Sequence, residues 1–123
     1  MTTFVVPTDS VHTAAALCDY LVDRLGEDDT VHAVSVQPDT SASAAERRDG
    51  DDALNAVYAR LGAVSTVETH RVDGSETSAA GVRTVAAETE ADEIVLGVDG
   101  GLGSATEAVV ADADCPVVIV PLA

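Results

Sequence analysis

Two periods of apolar residues alternate along this chain, and they predict strands and helices in turn. A short apolar run bounded by turn residues is typical of a buried strand, whereas apolar residues three and four apart are typical of a helix. The predicted strands are Thr3–Pro7, Thr30–Val36, Val64–Val72, Glu93–Leu96 and Pro116–Val120. Four helices are predicted between them. The first begins at about Ala14 and ends at Gly26, and the second begins at Leu54 and ends at Gly62. The third and fourth are Thr77–Thr89 and Ser104–Ala113. We expect the 123 residues to form a single domain.

One segment breaks this alternation. From Asp39 to Asp52 the chain is polar and low in complexity, which predicts a mobile loop or a frayed helix. Ser43 and Glu46 nevertheless have the spacing of a capping box, in which each side chain bonds the other residue's backbone amide.

The order of elements predicts an α/β fold. Strands that alternate with helices form a parallel sheet covered on both faces, and right-handed crossovers leave few ways to wind it. We expect a doubly wound, five-stranded parallel sheet in the order 3-2-1-4-5. In that order the chain changes direction between strands one and four, and ligands bind outside the carboxyl ends of strands at such a switch point. Two unusual loops follow these two strands: residues 7–10, and a glycine cluster from Gly97 to Gly103.

The glycine cluster predicts an anion site. Gly97, Gly100, Gly101 and Gly103 crowd the turn before the helix that opens at Ser104, and exposed backbone amides at a helix N-terminus bind phosphate well. A second interpretation needs no ligand. Ser104 and Glu107 have capping-box spacing, so the glycines can simply form a tight turn into a capped helix.

Asp9, in the loop after the first strand, also has two interpretations. Its carboxylate is placed to accept hydrogen bonds from ribose hydroxyls or from adenine. Alternatively, Asp9 or Ser10 caps the first helix, since both residue types are favoured caps. Both roles can hold at once.

The net charge of the chain indicates the kind of organism it comes from and excludes one class of partner. The chain has 22 acidic and 6 basic residues and a formal net charge of −16, and every basic residue is Arg. Molar salt screens such self-repulsion, so we expect a halophilic source. No basic stripe is present to neutralise phosphates, and three aromatic residues are too few to stack on bases, so we expect no nucleic-acid partner.

Other residue types suggest no further chemistry. No apolar run approaches a membrane-spanning length, and the N-terminus leads directly into a strand, so we expect a cytoplasmic protein without a membrane partner. Cys18 and Cys115 are expected to be small core residues rather than a disulfide. His12, His32 and His70 lack ligand spacing, and we expect surface or strand histidines.

The last strand predicts self-association. Val117, Val118, Ile119 and Val120 would lie at a sheet edge without a charge or a break to discourage pairing. Antiparallel pairing of two such edges about a two-fold axis gives a closed homodimer. The alternative is an edge that a loop or side chains shield.

Three short motifs remain to be placed: the turn Pro7-Thr8-Asp9, GSATEAV from Gly103, and DCPV from Asp114. In these motifs, most of the chain, and its last part above all, resembles the universal stress protein family. Members that bind nucleotides have Gly, two residues, Gly, nine residues, then Gly-Ser or Gly-Thr. In this chain only Gly101 and Leu102 separate Gly100 from Gly103, so the phosphate loop is short.

The resemblance implies a site and an assembly. It implies that Asp9 contacts a nucleotide, ATP or AMP, that the Val36 backbone pairs with adenine, and that a glycine loop holds phosphate. The loop residues concerned are Gly97, Gly100, Gly103 and Ser104. The alternative for Val36 is an ordinary residue of the strand core. It also implies a dimer through the last strand, which Cys115-Pro116-Val117 opens.

Rival doubly wound folds match poorly. A response-regulator receiver needs a Lys, which this chain lacks, and a flavodoxin needs a longer first loop and more aromatic residues. No Gly-x-Ser-x-Gly elbow of a hydrolase is present. The short loop favours a non-enzymatic homodimeric scaffold with a reduced or absent nucleotide site. The alternative is a sensor that binds ATP or AMP through Asp9 and the Gly97 to Ser104 loop.

Overall fold

A computed structural model describes residues 1–37, 43–73, 77–100 and 103–122. Strands and helices alternate along these described residues. They are β1 (Thr3–Pro7), α1 (Val11–Leu21), β2 (Thr30–Gln37), α2 (Ala44–Leu61), β3 (Thr66–Asp73), α3 (Ser78–Thr89), β4 (Glu93–Val98), α4 (Ser104–Asp112) and β5 (Val117–Pro121). Within the described residues, no helix has the length and apolarity that crossing a membrane requires.

The five strands form one sheet in the order β3-β2-β1-β4-β5, and every neighbouring pair is parallel. The predicted fold class and strand order are therefore confirmed. The chain leaves β1 toward β2 and later returns to the other side of β1 with β4. The carboxyl ends of β1 and β4 lie side by side at this change of direction, which is where an open parallel sheet binds ligands.

Two hydrophobic clusters cover the two faces of the sheet. Because successive strand residues point to opposite faces, Phe4 and Val6 pack with α1 and α2, whereas Val5 packs with α3 and α4. The fully buried residues of the first cluster include Leu17, Leu21 and Leu61. Helices thus lie on both faces, as the alternating pattern predicts.

The segment before the second helix differs from the prediction. We expected a loop or frayed helix through Asp52, but α2 already begins at Ala44. The capping box forms: Ser43 Oγ accepts from the Glu46 amide at 3.1 Å, and the Glu46 carboxylate accepts from the Ser43 amide at 3.3 Å. Gly50 then packs so tightly on β2 that a methyl group there would lie 2.5 Å from Ser35 Oγ. Capping and close packing stabilise a helix whose sequence is too polar to predict one.

Other boundaries shift by a few residues. The first helix ends at Leu21 rather than near Leu25, and β4 extends two residues further, to Val98. The predicted capping box of Ser104 does not form, because Ser104 is the first residue of α4 and not its N-cap. Gly103 is the N-cap, and no side chain caps α4. Part of the Asp39–Asp52 segment, residues 39–42, lies outside the described residues.

Candidate functional site

A cavity of about 230 Å³ opens at the switch point of the sheet. It lies beyond the carboxyl ends of β1, β2 and β4, and the first turns of α1, α3 and α4 contribute to its wall. Its lining residues are Pro7, Thr8, Asp9, Thr13, Val34, Val36, Ser78, Ala79, Val82, Leu96, Gly97, Ala105, Thr106 and Val109. The two loops that the sequence singles out therefore meet at one cavity.

Ser10, rather than Asp9, caps the first helix. The Thr13 amide donates to Ser10 Oγ at 3.2 Å, and the Ser10 hydroxyl in turn donates to Thr13 Oγ1 at 3.1 Å. The preceding Thr8 is buried: its amide donates to the Val34 carbonyl at 2.8 Å, and its hydroxyl donates to the Ser10 carbonyl at 3.1 Å. These bonds fix the turn and leave the exposed Asp9 carboxylate at the cavity with no capping role.

Two glycines, one near the end of β4 and one in the loop after it, have geometries that a side chain disfavours. At Gly97, a methyl group would lie 3.0 Å from Thr13 Cγ2 and 3.2 Å from Leu122 Cδ2, so these side chains would have to shift by a few tenths of an ångström. Gly100 has a φ of 78°, a left-handed conformation that side chains disfavour. Gly101 and Leu102, which make the loop short, lie outside the described residues.

The N-terminus of α4 carries backbone amides that no side-chain hydrogen bond caps. Ser10, Ser43 and Thr77 cap the other three described helices with a side-chain oxygen, whereas Gly103 offers none to α4. The first-turn residues Ala105 and Thr106 line the cavity. Amides at a helix N-terminus carry a partial positive charge of about half a unit, so they can hold an anion.

The remaining lining is apolar with a few hydroxyl groups. Val34, Leu96 and Val109 are buried in the cluster that α3 and α4 cover, and they form its apolar wall. Thr13, Ser78 and Thr106 bring hydroxyl groups to its edge. Such a mixture suits a flat, weakly polar group beside a group that needs hydrogen bonds.

The predicted site residues are distributed unevenly around the cavity. Asp9, Val36 and Gly97 line it. Gly100, Gly103 and Ser104 belong to the adjoining loop and helix start but are not among the described lining residues. Sequence reasoning missed Thr13, Ser78 and Thr106. A rule was available, because the first helical turns that follow strand ends always face the carboxyl edge of a doubly wound sheet.

The histidines and cysteines are not among the described lining residues of this cavity. His32 and His70 contact each other across β2 and β3, with Nδ1 and Nε2 2.9 Å apart, a pair that the sequence does not suggest. In the described part of the chain, no three His, Cys, Asp or Glu side chains form a group that could hold a metal ion. Cys18 is buried and Cys115 half-buried, and both are free thiols.

Comparison with protein families gives a match over nearly the whole chain. A sequence model of the universal stress protein family matches residues 1–121. A comparison with curated proteins gives no match.

Solved structures with the same fold include several with a bound nucleotide. A universal stress protein from Archaeoglobus fulgidus in complex with dAMP is 17% identical, with a TM-score of 0.77 over 98% of each chain. A family member from Arabidopsis thaliana with AMP bound is 17% identical, with a TM-score of 0.76 over 100% of this chain and 93% of the other. A third, in complex with cAMP, is 21% identical, with a TM-score of 0.68 over 99% and 98%. At these identities the similarity shows a shared fold.

Proposed function

This chain belongs to the universal stress protein family, and we propose that it functions as a module that binds an adenosine nucleotide at the switch-point cavity. Three structures of the same fold were solved with dAMP, AMP or cAMP, which favours this function over a scaffold with an absent site. The short glycine loop had favoured the scaffold. In the proposed site, the first turn of α4, which lines the cavity with Ala105 and Thr106, binds the phosphate.

One observation carries the proposal. The cavity places the Asp9 carboxylate, which no helix uses as a cap, together with the N-terminus of α4, which no side chain caps. The carboxylate accepts hydrogen bonds from ribose hydroxyls, and the amides donate to phosphate oxygens. Unused acceptor and donor groups facing one apolar-walled cavity match the chemistry of a nucleotide.

The binding mode follows from these positions. The base packs between Val36 and the apolar wall, where the end of β2 offers backbone groups for hydrogen bonding. Asp9 holds the ribose, and the first turn of α4 holds the phosphate. Thr13 and Thr106 add hydroxyl donors beside these two groups.

We also propose that the chain forms a homodimer through β5. This strand pairs only with β4 among the described strands, and Val117, Val118 and Val120 are half-buried while Ile119 is exposed. The opposite edge, β3, carries Glu68, His70 and Arg71, and such charged edges discourage pairing. The difference between the charged β3 edge and the apolar β5 edge favours β5 as the dimer interface. A homodimeric scaffold without a ligand is the second candidate function.

Calorimetric titration with AMP in molar KCl separates the two candidates. We expect saturable binding to the wild type and loss of binding by Asp9→Ala. Asp23→Ala is the matched control, because it removes an equally exposed carboxylate at the other end of α1. No heat of binding up to millimolar AMP would favour the scaffold. Binding that Asp9→Ala leaves intact would refute the proposed role of Asp9.

A further inference from the structure

We infer that the site selects a nucleoside monophosphate over the corresponding di- and triphosphates. The inference rests on the function proposed above and adds which phosphate chain the site accepts. It is drawn from the charges around the cavity, from the donors that face it and from its size.

No cationic side chain lines the cavity. Its only charged described lining residue is Asp9. The sequence contains six basic residues and no Lys, namely Arg24, Arg47, Arg48, Arg60, Arg71 and Arg83. All six lie in the described ranges, so no residue outside them can supply a cation. A bound phosphate chain therefore has no arginine or lysine partner in the lining.

The arginines nearest in sequence to the lining residues are engaged elsewhere. Arg83 follows Val82 in α3, but its guanidinium lies 3.5 Å from the Asp112 carboxylate and donates to the Ala108 carbonyl at 3.4 Å. Arg71, near the end of β3, lies 3.4 Å from the Asp51 carboxylate of α2. The helix α2, which also carries Arg47 and Arg48, packs on the face of the sheet that α3 and α4 do not cover.

The donors that remain suit a single phosphate. The first turn of α4 presents a few backbone amides and about half a positive charge, which complements one terminal phosphate of about two negative charges. Each further phosphate adds negative charge with no arginine or lysine in the described lining to offset it. It also adds repulsion from Asp9 and from a chain of net charge −16.

The size of the cavity also favours a nucleotide with a single phosphate. At about 230 Å³, it is smaller than the roughly 300–1,000 Å³ usual for ligand pockets. A small cavity favours the smaller nucleotide, because it leaves less room for a second and a third phosphate.

Parallel titrations with AMP, ADP and ATP test the inference. They are carried out by calorimetry at matched ionic strength, without divalent cations, which would mask phosphate charge. We expect AMP to bind about tenfold or more tightly than ATP, with ADP between them. The difference should narrow as KCl is raised, because salt screens the repulsion. ATP binding as tight as AMP would overturn the inference but not the proposed function, whereas no binding of any of the three would overturn both.

A second experiment adds a positively charged side chain beside the phosphate site. Ser104 is exposed at the first position of α4, so Ser104→Arg places a positive charge beside the phosphate site without filling the cavity. We expect ATP affinity to rise about three- to tenfold more than AMP affinity. Ser104→Gln, which is long and polar but uncharged, separates the effect of the charge from that of the longer side chain. An AMP-to-ATP ratio that the arginine does not change would contradict the charge argument.

Discussion

Gly97 of β4 lies so close to Thr13 of α1 that a methyl group on Gly97 would be 3.0 Å from the Thr13 Cγ2 atom. The same methyl group would lie 3.2 Å from Leu122 Cδ2. Both Gly97 and Thr13 line the switch-point cavity. The shape of the cavity therefore depends on a residue without a side chain.

Gly97→Ala should consequently alter both stability and binding. Moving Thr13 or Leu122 aside is a case of overpacking, which costs about 1–3 kcal/mol in the free energy of unfolding. AMP affinity should also fall, because Thr13 shifts into the cavity. Denaturant unfolding and calorimetry measure the two effects. Gly26→Ala is the control, since its nearest atom is at an ordinary 3.8 Å. Unchanged AMP affinity in a destabilised Gly97→Ala protein would argue against a ligand in this cavity.

The missing cap of α4 gives a prediction in which stability and affinity move in opposite directions. In Gly103→Ser, the new hydroxyl can accept from a first-turn amide and stabilise the helix by a few tenths of a kcal/mol. The same amide is then lost to phosphate, and we expect about tenfold weaker AMP binding.

Gly103→Ala is the matched variant for this test. A methyl group at Gly103 meets no atom within 4 Å, and the residue has a φ of −79° that alanine adopts readily. Alanine has no acceptor, so AMP affinity should stay close to that of the wild type. Equal affinities of the serine and alanine variants would exclude α4 as the phosphate site.

The proposed dimer depends on the apolar edge of β5. Ile119→Arg should produce a monomer, because the charge would have to be buried between two edges. Val22→Arg is a matched control: Val22 is 38% exposed and Ile119 36%, but Val22 lies just after α1 rather than in β5. Sedimentation velocity in high salt measures the outcome. A wild type that sediments as a monomer, or an Ile119→Arg variant that remains a dimer, would contradict the proposed interface.

The His32–His70 pair predicts a dependence of stability on pH. Burial lowers the pKa of His32 from its ordinary value of 6.5, and the adjacent His70 ring lowers it further, while the Glu68 carboxylate at 3.9 Å acts in the opposite direction. Below pH 6.5 the unfolded chain therefore binds a proton that folded His32 does not yet accept. The free energy of unfolding should fall as the pH decreases from 6.5 toward the lowered pKa.

Denaturant unfolding between about pH 7 and pH 5 measures this slope. His32→Asn should reduce it, because the amide keeps a polar group near His70 but does not titrate. His12→Asn, which replaces an exposed histidine with the same residue, is the control for the substitution itself. A slope that His32→Asn leaves as steep as in the wild type would assign the pH dependence to other groups.

The sequence predicted the fold better than it predicted the details of the site. Strand order followed from alternation and handedness, which local apolar patterns express directly. The start of α2 did not, because Gly50 packs on Ser35 across a distance in sequence. For the same reason the contact between His32 and His70, 38 residues apart, needed the register of β2 and β3.

Within the site, Asp9 could be singled out because it follows a strand at the switch point. Its role could not be separated from capping until Ser10 was seen to bond the Thr13 amide. The predicted capping box at Ser104 was wrong because the sequence does not show whether the helix begins at Ser104 or at Ala105. Only the backbone geometry makes Gly103 the N-cap.

Nuclear magnetic resonance titration with AMP tests the central claim most directly, because it reports where a ligand binds. On uniformly ¹⁵N-labelled protein in high KCl, we predict saturable shifts of the Ala105 and Thr106 amides in α4 and of the Thr8 and Thr13 amides around the β1 turn. Ala87 and Cys115, which line a separate cavity, should not shift. Shifts confined to Ala87 and Cys115, or no shifts at millimolar AMP, would contradict a nucleotide site at the switch point.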